Sequence, residues 1–189
     1  MIILPILVVT AVVALATGGS LGNVTSLHLR WRGFIIGGFL LQVIVFSPIW
    51  QDNPSLEPHT QIAYAVSLVA LLAALAANYR IPGLALIGPG FLCNLIAVAL
   101  NGGYMPASAS AMAAAGLTPL AAGQTLQNSI GIGPGTNVAF LGDIFAIPRW
   151  FIFPNVFSVG DVLIGLGAIY LIFKALRPAP LRTDSASPA

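Results

Sequence analysis

Long uncharged intervals constrain this chain more than any other feature. No Lys, Arg, Asp or Glu precedes Arg30, and none lies between Arg80 and Asp143. Only 6% of the residues are charged and 58% are hydrophobic, whereas about a quarter of the residues in an ordinary soluble domain are charged. The composition therefore predicts a membrane protein without a soluble domain.

Five largely apolar intervals have the composition of transmembrane helices. About 20 apolar residues cross the hydrocarbon layer, and backbone groups in lipid need partners within their own segment. The sequence therefore predicts an all-α fold, a bundle of about five transmembrane helices that forms a single domain over residues 1–177. The remaining residues, 178–189, are predicted to be a disordered cytoplasmic tail. The predicted spans are residues 1–20, 33–50, 62–78, 81–100 and 161–174.

The basic residues predict the orientation of these spans, because Lys and Arg concentrate in cytoplasmic loops. Nothing charged precedes the first apolar run, which favours an uncleaved helix with its N-terminus outside and the C-terminus in the cytoplasm. In this arrangement only Arg149 among the basic residues lies outside. The basic residues on the cytoplasmic side are Arg30, Arg32, Arg80, Lys174, Arg177 and Arg182. The acids on the outer side are Asp52, Glu57, Asp143 and Asp161.

Several classes of function are excluded by composition. Seven basic residues without a cluster make no nucleic-acid footprint. Cys93 is the only cysteine, and His28 and His59 fall in loops on opposite faces, so no metal site and no cofactor are predicted. The expected partners are membrane lipids and a homo-oligomer or larger membrane complex.

Two glycine-rich features suggest how the spans behave. Gly88-Pro89-Gly90 predicts a kink or break in the fourth span, since proline removes an amide donor and glycine loosens the chain. Broken helices at membrane depth are typical of transporters. Gly33 and Gly37 form a GxxxG pair, which predicts close helix packing and, as an alternative, self-association.

The segment 101–157 is predicted to be an irregular extracytoplasmic loop that folds against the bundle and is a candidate for re-entry into the membrane. Residues 108–115 are predicted to start a short helix within it. A possible pocket at the outer face is assigned to the helix-stop residues of this loop, their neighbours and the serine before the last span. These residues are Asn101, Gly102, Gly103, Tyr104, Pro106 and Ser158.

Asp143 and Asp161 are the candidate catalytic residues. The segment between them contains two prolines, and a tight hairpin or strand pair would bring the two acids together. Two carboxylates in a low-dielectric site have their proton affinities pushed apart, which prepares them to activate a water molecule. The alternative is structural, because Ser158 and Asp161 have capping-box spacing at the start of a helix.

Three motifs carry a resemblance to a known family: LNGGYMPAS, GDIFAIP and FPNVFSVGDVLIGLG. Together they resemble a family of small uncharacterised bacterial integral membrane proteins, known as a domain of unknown function. The resemblance covers most of the chain, from the first helix to about Phe173. It implies a multi-pass protein of the bacterial plasma membrane and no particular activity.

The last motif is also similar to lipoprotein signal peptidase, type II, where a proline-bearing loop leads into the last helix. That resemblance implies that Asp161 is one aspartate of a catalytic dyad. The chain has Ser158-Val159-Gly160-Asp161 where the enzyme has Asn-x-Ala-Asp, and it lacks the Gly-Asn-x-x-Asp-Arg motif. Three functions therefore stay open: a non-catalytic or accessory membrane component, an aspartyl-type intramembrane peptidase, and a small-solute transporter or carrier that uses a broken fourth helix.

Overall fold

The computed structural model describes residues 3–26 and 29–176. The predicted tail over residues 178–189 and His28 lie outside the described residues. The helices are α1 (Ile3–Ala16), α2 (Arg32–Val45), α3 (Pro48–Gln51), α4 (Thr60–Ala77), α5 (Leu84–Leu100), α6 (Ala109–Ala114) and α7 (Val159–Leu176). The strands are β1 (Met105–Ala107), β2 (Thr125–Leu126), β3 (Ser129–Gly131), β4 (Asp143–Ile147) and β5 (Asn155–Ser158). Short 3-10 turns occupy Leu21–Ser26, Glu57–His59 and Ala139–Leu141.

The five longer helices pack in the order α1, α7, α5, α4, α2. The central core lies among α4, α5 and α7, where large aliphatic and aromatic side chains are buried together. The members of this core in the three helices are Leu68, Leu71, Leu84, Ile87, Phe91, Ala97, Val98 and Ile164.

Glycines set the close approach of α5 and α7. A Cβ atom on Gly90 would lie 2.6 Å from the carbonyl oxygen of Gly160, and one on Gly167 would lie 2.6 Å from the carbonyl oxygen of Gly83. The pairs run in opposite directions along the two helices, so α5 and α7 are antiparallel. Small residues let helix backbones meet in this way, so any side chain at these four positions would push the helices apart.

A five-stranded mixed sheet covers one end of these helices, in the order β2-β3-β1-β4-β5. The central strand β1 runs parallel to β3 and β4, while β2 pairs antiparallel with β3 and β4 pairs antiparallel with β5. Helix α6 lies within the predicted residues 108–115 and has Ser108 as its N-cap. It packs on β4. The chain leaves α5 for β1 and enters α7 directly from β5.

The sheet contradicts the prediction of an all-α fold with an irregular loop over residues 101–157. The strands were missed because they contain only two to five residues, too few for a period-2 pattern to emerge. Their backbone groups need partners beside apolar helices, and neighbouring strands supply them. The fold is therefore a mixture of helices and a short sheet.

The prediction of five transmembrane spans is also wrong. Each predicted span contains a helix, but two helices in the described part of the chain are long and apolar enough to cross a membrane, Glu57–Ala77 and Val159–Leu176. Arg32–Val45 and Leu84–Leu100 are apolar but shorter. The second span was overestimated because Ser47-Pro48 ends α2 and starts the separate helix α3.

Two further sequence predictions concern helix packing. Helix α5 continues through Pro89, so the predicted break is absent and a kink there stays a prediction. Among the described residues, no atom lies within 4 Å of a Cβ built on Gly33 or Gly37, whereas one on Gly38 would meet Leu71 on α4. The GxxxG pair therefore does not set a close helix approach in the described part of the chain. It lines a shallow apolar groove of about 320 Å³ between α2 and α4, and self-association through it stays a prediction.

Candidate functional site

Ser158 and Asp161 form a complete capping box at the start of α7. The Asp161 backbone N–H donates to the Ser158 hydroxyl oxygen at 3.0 Å, and the Ser158 backbone N–H donates to Asp161 Oδ2 at 3.0 Å. Each residue therefore satisfies one backbone donor of the other, which is the reciprocal pattern of this motif. The carboxylate also lies at the positive end of the helix dipole. The structural role predicted from the Ser-x-x-Asp spacing is confirmed.

Asn94 extends this cap from α7 to α5. Its side-chain amide donates to Asp161 Oδ1 at 3.1 Å, and its carbonyl oxygen accepts a hydrogen bond from the Ser158 hydroxyl at 2.9 Å. Asn94 is 8% exposed and Ser158 is fully buried. The contact requires Gly160, because a Cβ there would overlap the Asn94 amide oxygen. The capping box therefore also joins the apolar helices α5 and α7 through buried hydrogen bonds.

Asp143 joins the same region from the sheet. It is the first residue of β4, pairs with Ser158 of β5, and is followed by an irregularity in the strand pairing before Phe145. The hairpin expected from the prolines between the acids is therefore present. Burial, and secondly the negative charge of Asp161, raise the pKa of the Asp143 carboxyl to about 7. The two acids are thus close enough to interact electrostatically.

Tyr64 and Asn128 complete the arrangement. Tyr64, on α4, lies close to the Asn128 side chain and within electrostatic range of both Asp143 and Asp161. Asn128 is in the turn between β2 and β3, and its carbonyl oxygen accepts the backbone N–H of Met105 in β1. We call the six residues that join α4, α5 and α7 to the sheet the junction cluster: Tyr64, Asn94, Asn128, Asp143, Ser158 and Asp161.

Three members of the junction cluster were missed from the sequence. Asn94 had a detectable signal, because a lone amide within an apolar helix is costly unless it has a partner. Tyr64 and Asn128 had none, since a tyrosine near a helix end and an asparagine in a turn are common. Their importance depends on which elements meet in three dimensions.

The other predicted pocket residues have structural roles at the α5–β1 connection. The Asn101 side-chain amide donates to the carbonyl oxygens of Ala97 and Asn137, and its side-chain oxygen accepts the Asn137 backbone N–H. Gly102 and Gly103 have positive φ angles of 67° and 92°, which glycine adopts without strain.

The residues that follow this connection lie closer to the sheet. Tyr104 is partly buried and Pro106 is buried in the central strand β1. A Cβ on Gly142, the residue before Asp143, would overlap the Pro106 carbonyl oxygen. The predicted loop residues thus shape the approach to β4, and their assignment to a pocket stays a prediction.

The raised pKa of Asp143 predicts a pH-dependent stability. The carboxyl titrates near 3.8 when unfolded and near 7 when folded, so its protonated form is favoured by folding. Its contribution is fully present below about pH 4 and is lost as the pH rises to about 7. Removing the charge should therefore stabilise the protein above neutrality.

Asp143→Asn tests this expectation. We expect the variant to be about 1–2 kcal/mol more stable than the wild type at pH 8 and nearly equal to it at pH 4. Thermal unfolding in detergent at a series of pH values measures the difference. Parallel pH profiles for the two proteins would contradict a proton-linked stability contribution from the partly buried Asp143.

The described residues contain no group of three or more His, Cys, Asp or Glu side chains that could hold a metal ion. The junction cluster instead combines two carboxylates with amide and hydroxyl groups. Such a set can bind a proton and hold elements together through hydrogen bonds.

The fold and the cluster define a class of small proteins in which apolar helices and a short mixed sheet are joined by buried polar side chains. The chain belongs to a family of unknown function, DUF5317, whose sequence model matches residues 26–173. No curated protein and no solved structure matches the chain. The predicted membership of an uncharacterised family is confirmed, and the resemblance to lipoprotein signal peptidase stays a prediction.

Proposed function

We propose that this protein is a non-catalytic, multi-pass component of the bacterial plasma membrane. Helices α4 and α7 cross the lipid from the outer face, α5 returns the chain between them, and the sheet lies at the outer face. One observation carries the proposal: the exposed surfaces of the longer helices are apolar, whereas polar side chains lie between the helices. This distribution is the reverse of that expected for helices in water.

Helices α2 and α4 illustrate the distribution. Six large apolar residues of α2 are more than half exposed: Phe34, Ile36, Phe39, Leu40, Val43 and Ile44. On α4, Val66 and Val69 are also more than half exposed, whereas Ser67 between them is fully buried. The Ser67 hydroxyl accepts a hydrogen bond from the Gln42 side chain on α2. Lipid, as the surrounding solvent, accounts for both the exposed apolar groups and the inward polar pair.

The charges at the two ends of the helices support the proposed orientation. The end away from the sheet brings together Arg30, whose backbone bonds to Asn78, with Arg80 and Lys174. The sheet end carries Glu57 before α4 and Asp161 in the first turn of α7. Because positive charge is retained on the cytoplasmic side, the sheet is assigned to the outer face.

The hydrogen bonding of the junction cluster supports a non-catalytic role. Both side-chain oxygens of Asp161 already accept hydrogen bonds. The Ser158 hydroxyl and the Asn94 side-chain amide each donate one hydrogen bond and accept another. In the described part of the chain, no buried side-chain nitrogen or oxygen lacks a partner. Asp161 is therefore fully engaged by the cap, and Asp143, which is only partly buried, is left as the single carboxylate able to meet water, whereas a dyad needs both.

Cysteine labelling in cells tests the proposal. In a Cys93→Ala background, Thr125→Cys places the only thiol on the exposed strand β2, and Tyr79→Cys places it beside Arg80 at the opposite end. A membrane-impermeant maleimide applied to intact spheroplasts should label Thr125→Cys and should label Tyr79→Cys only after permeabilisation. Both variants should stay in the membrane fraction after a carbonate wash.

Three results would contradict the proposal. Release of the protein by carbonate would exclude integral insertion. Labelling of Tyr79→Cys but not Thr125→Cys in intact spheroplasts would reverse the orientation. Equal labelling of both variants in intact spheroplasts would show that the two ends are on the same side, so that α4 does not cross the lipid.

A second candidate, an aspartyl-type intramembrane peptidase, is favoured by one observation. Burial and, secondly, the negative charge of Asp161 raise the pKa of Asp143 to about 7, and the second of these causes is expected for one member of an acid pair. The test is whether the chain restores processing of a lipid-modified precursor in cells depleted of lipoprotein signal peptidase. Failure of the wild type to do so, while it is present in the membrane, would remove this candidate. The continuous helix α5 gives no corresponding support to a transporter.

A further inference from the structure

The loop between β4 and β5 carries an unusual run of exposed apolar side chains. Trp150 and Ile152 are each 80% exposed, and Phe151 and Phe153 are 49% and 52% exposed. The Trp150 and Phe151 rings contact each other edge to face, with centroids 6.1 Å apart. We call residues 150–153 the aromatic tip. Four consecutive large apolar residues of this exposure would be an aggregation hazard in water.

The composition of the aromatic tip is particular to this loop. At the other edge of the sheet, the exposed residues 121–127 are mostly small or polar, with the sequence AAGQTLQ. The tip also lies next to Arg149, the one charged residue between Asp143 and Asp161. The Arg149 residue is exposed, and its aliphatic stem packs on Gly116. A cation beside exposed aromatic rings complements a surface that is both apolar and negatively charged.

The short connection between the aromatic tip and α7 limits how far the tip lies from the lipid that surrounds this helix. Strand β5 has four residues and leads into α7 without a linker. At about 3.3 Å per residue, β5 spans about 13 Å. The polar interfacial layer begins at the helix end and extends outward by several ångströms on each side of the hydrocarbon core. Because this layer is thinner than the length of β5, the tip meets the lipid headgroups around α7 when β5 runs obliquely to the helix axis, and the proposal below includes that geometry.

We propose that the aromatic tip inserts into the outer-leaflet interface of the bilayer, with its rings at the level of the upper acyl chains and the Arg149 guanidinium at the lipid phosphates. The proposal rests on the proposed membrane location of α4 and α7. Tryptophan is enriched at this level because its ring is amphipathic, and Arg adds attraction to anionic lipids. The contact anchors the hairpin that carries Asp143 and Ser158, and so couples the junction cluster to the membrane surface.

An environment-sensitive fluorophore tests the insertion in vesicles. In the Cys93→Ala background, Ile152→Cys labels the tip, Val69→Cys labels the exposed face of α4, and Thr125→Cys labels the far edge of the sheet. Each protein is labelled with a nitrobenzoxadiazole group after purification and reconstituted into phosphatidylcholine–phosphatidylglycerol vesicles. Quenching is then measured with doxyl-labelled lipid and with aqueous iodide.

We expect the label at residue 152 to be quenched by doxyl lipid, and to be at least about threefold less sensitive to iodide than the label at residue 125. A label at 152 that behaves like the label at 125, while the label at 69 is quenched by doxyl lipid, overturns the tip insertion and leaves the membrane-spanning assignment intact. It would make a soluble or membrane-bound protein the partner of the tip.

The same measurement also detects failure of the spanning assignment when the tip insertion holds. If the label at 152 is quenched by doxyl lipid but the label at 69 is not, the tip contacts the bilayer and the spanning assignment of α4 is wrong. If neither label is quenched by doxyl lipid, both proposals are overturned. Circular dichroism of each labelled protein verifies that the helices are retained.

Discussion

Replacing Gly160 with alanine is expected to lower the free energy of unfolding by about 2–4 kcal/mol. The new Cβ would lie 2.6 Å from the Gly90 carbonyl oxygen and would overlap the Asn94 amide oxygen. Helices α5 and α7 would have to separate, and Asn94 would lose its hydrogen bonds to Ser158 and Asp161. The gain in helix propensity from glycine to alanine, about 1 kcal/mol, is smaller than this loss.

Gly165→Ala is the matched control for this experiment. Gly165 is also in α7, but a Cβ built there meets no atom within 4 Å. We expect the free energy of unfolding of this variant to equal that of the wild type or to exceed it by up to about 1 kcal/mol. Unfolding of both variants is measured by circular dichroism in detergent. Equal stability of Gly160→Ala and Gly165→Ala would mean that α5 and α7 are not held in close contact by glycine.

Asp161→Asn is expected to destabilise the protein by about 2–4 kcal/mol, although the change is nearly isosteric. The carboxylate accepts from the Ser158 backbone and from the Asn94 side chain through its two oxygens. An asparagine has one acceptor oxygen, so its amide N–H₂ group must face one of the two donors. The variant would also lose the negative charge at the positive end of the helix dipole.

The control for this substitution is Asp52→Asn. Asp52 is an exposed acid that follows α3 at the same end of the molecule, and its substitution should change stability by no more than about 0.5 kcal/mol. The free energies of unfolding of both variants are compared at pH 8. A normal stability of Asp161→Asn would contradict the capping role, and with it the main argument against a catalytic Asp161.

The sequence predicted the helices better than the fold. The predicted spans 62–78 and 161–174 lie within two residues of the ends of α4 and α7 at every boundary. Their apolar length and the capping pair Ser158 and Asp161 are local properties that a linear reading detects. The short strand β1 pairs with β3 across more than twenty residues of chain. No local sequence pattern predicts a pairing between strands so far apart in the chain.

The candidate site shows the same division. Asp143 and Asp161 stood out because acids are rare in this chain, and the prolines between them indicated a hairpin. Tyr64 stood out little, because one tyrosine near a helix end has many ordinary explanations, and the signal of Asn94 did not indicate which partner it would meet. They became important only when the glycines of α5 and α7 placed Asn94 against the cap.

The sequence by itself determined that the chain forms apolar helices, that α7 starts with a capping box, and that the chain is a member of an uncharacterised family. These properties depend on the composition and spacing of neighbouring residues. Only the tertiary structure decided that residues 105–158 form a sheet, and that Asp161 bonds to Asn94 rather than standing free beside Asp143. Those outcomes depend on contacts between segments that are distant in the chain. Backbone hydrogen bonding decides which strands pair, and the lack of a side chain at the glycines of α5 and α7 lets Asn94 reach the cap.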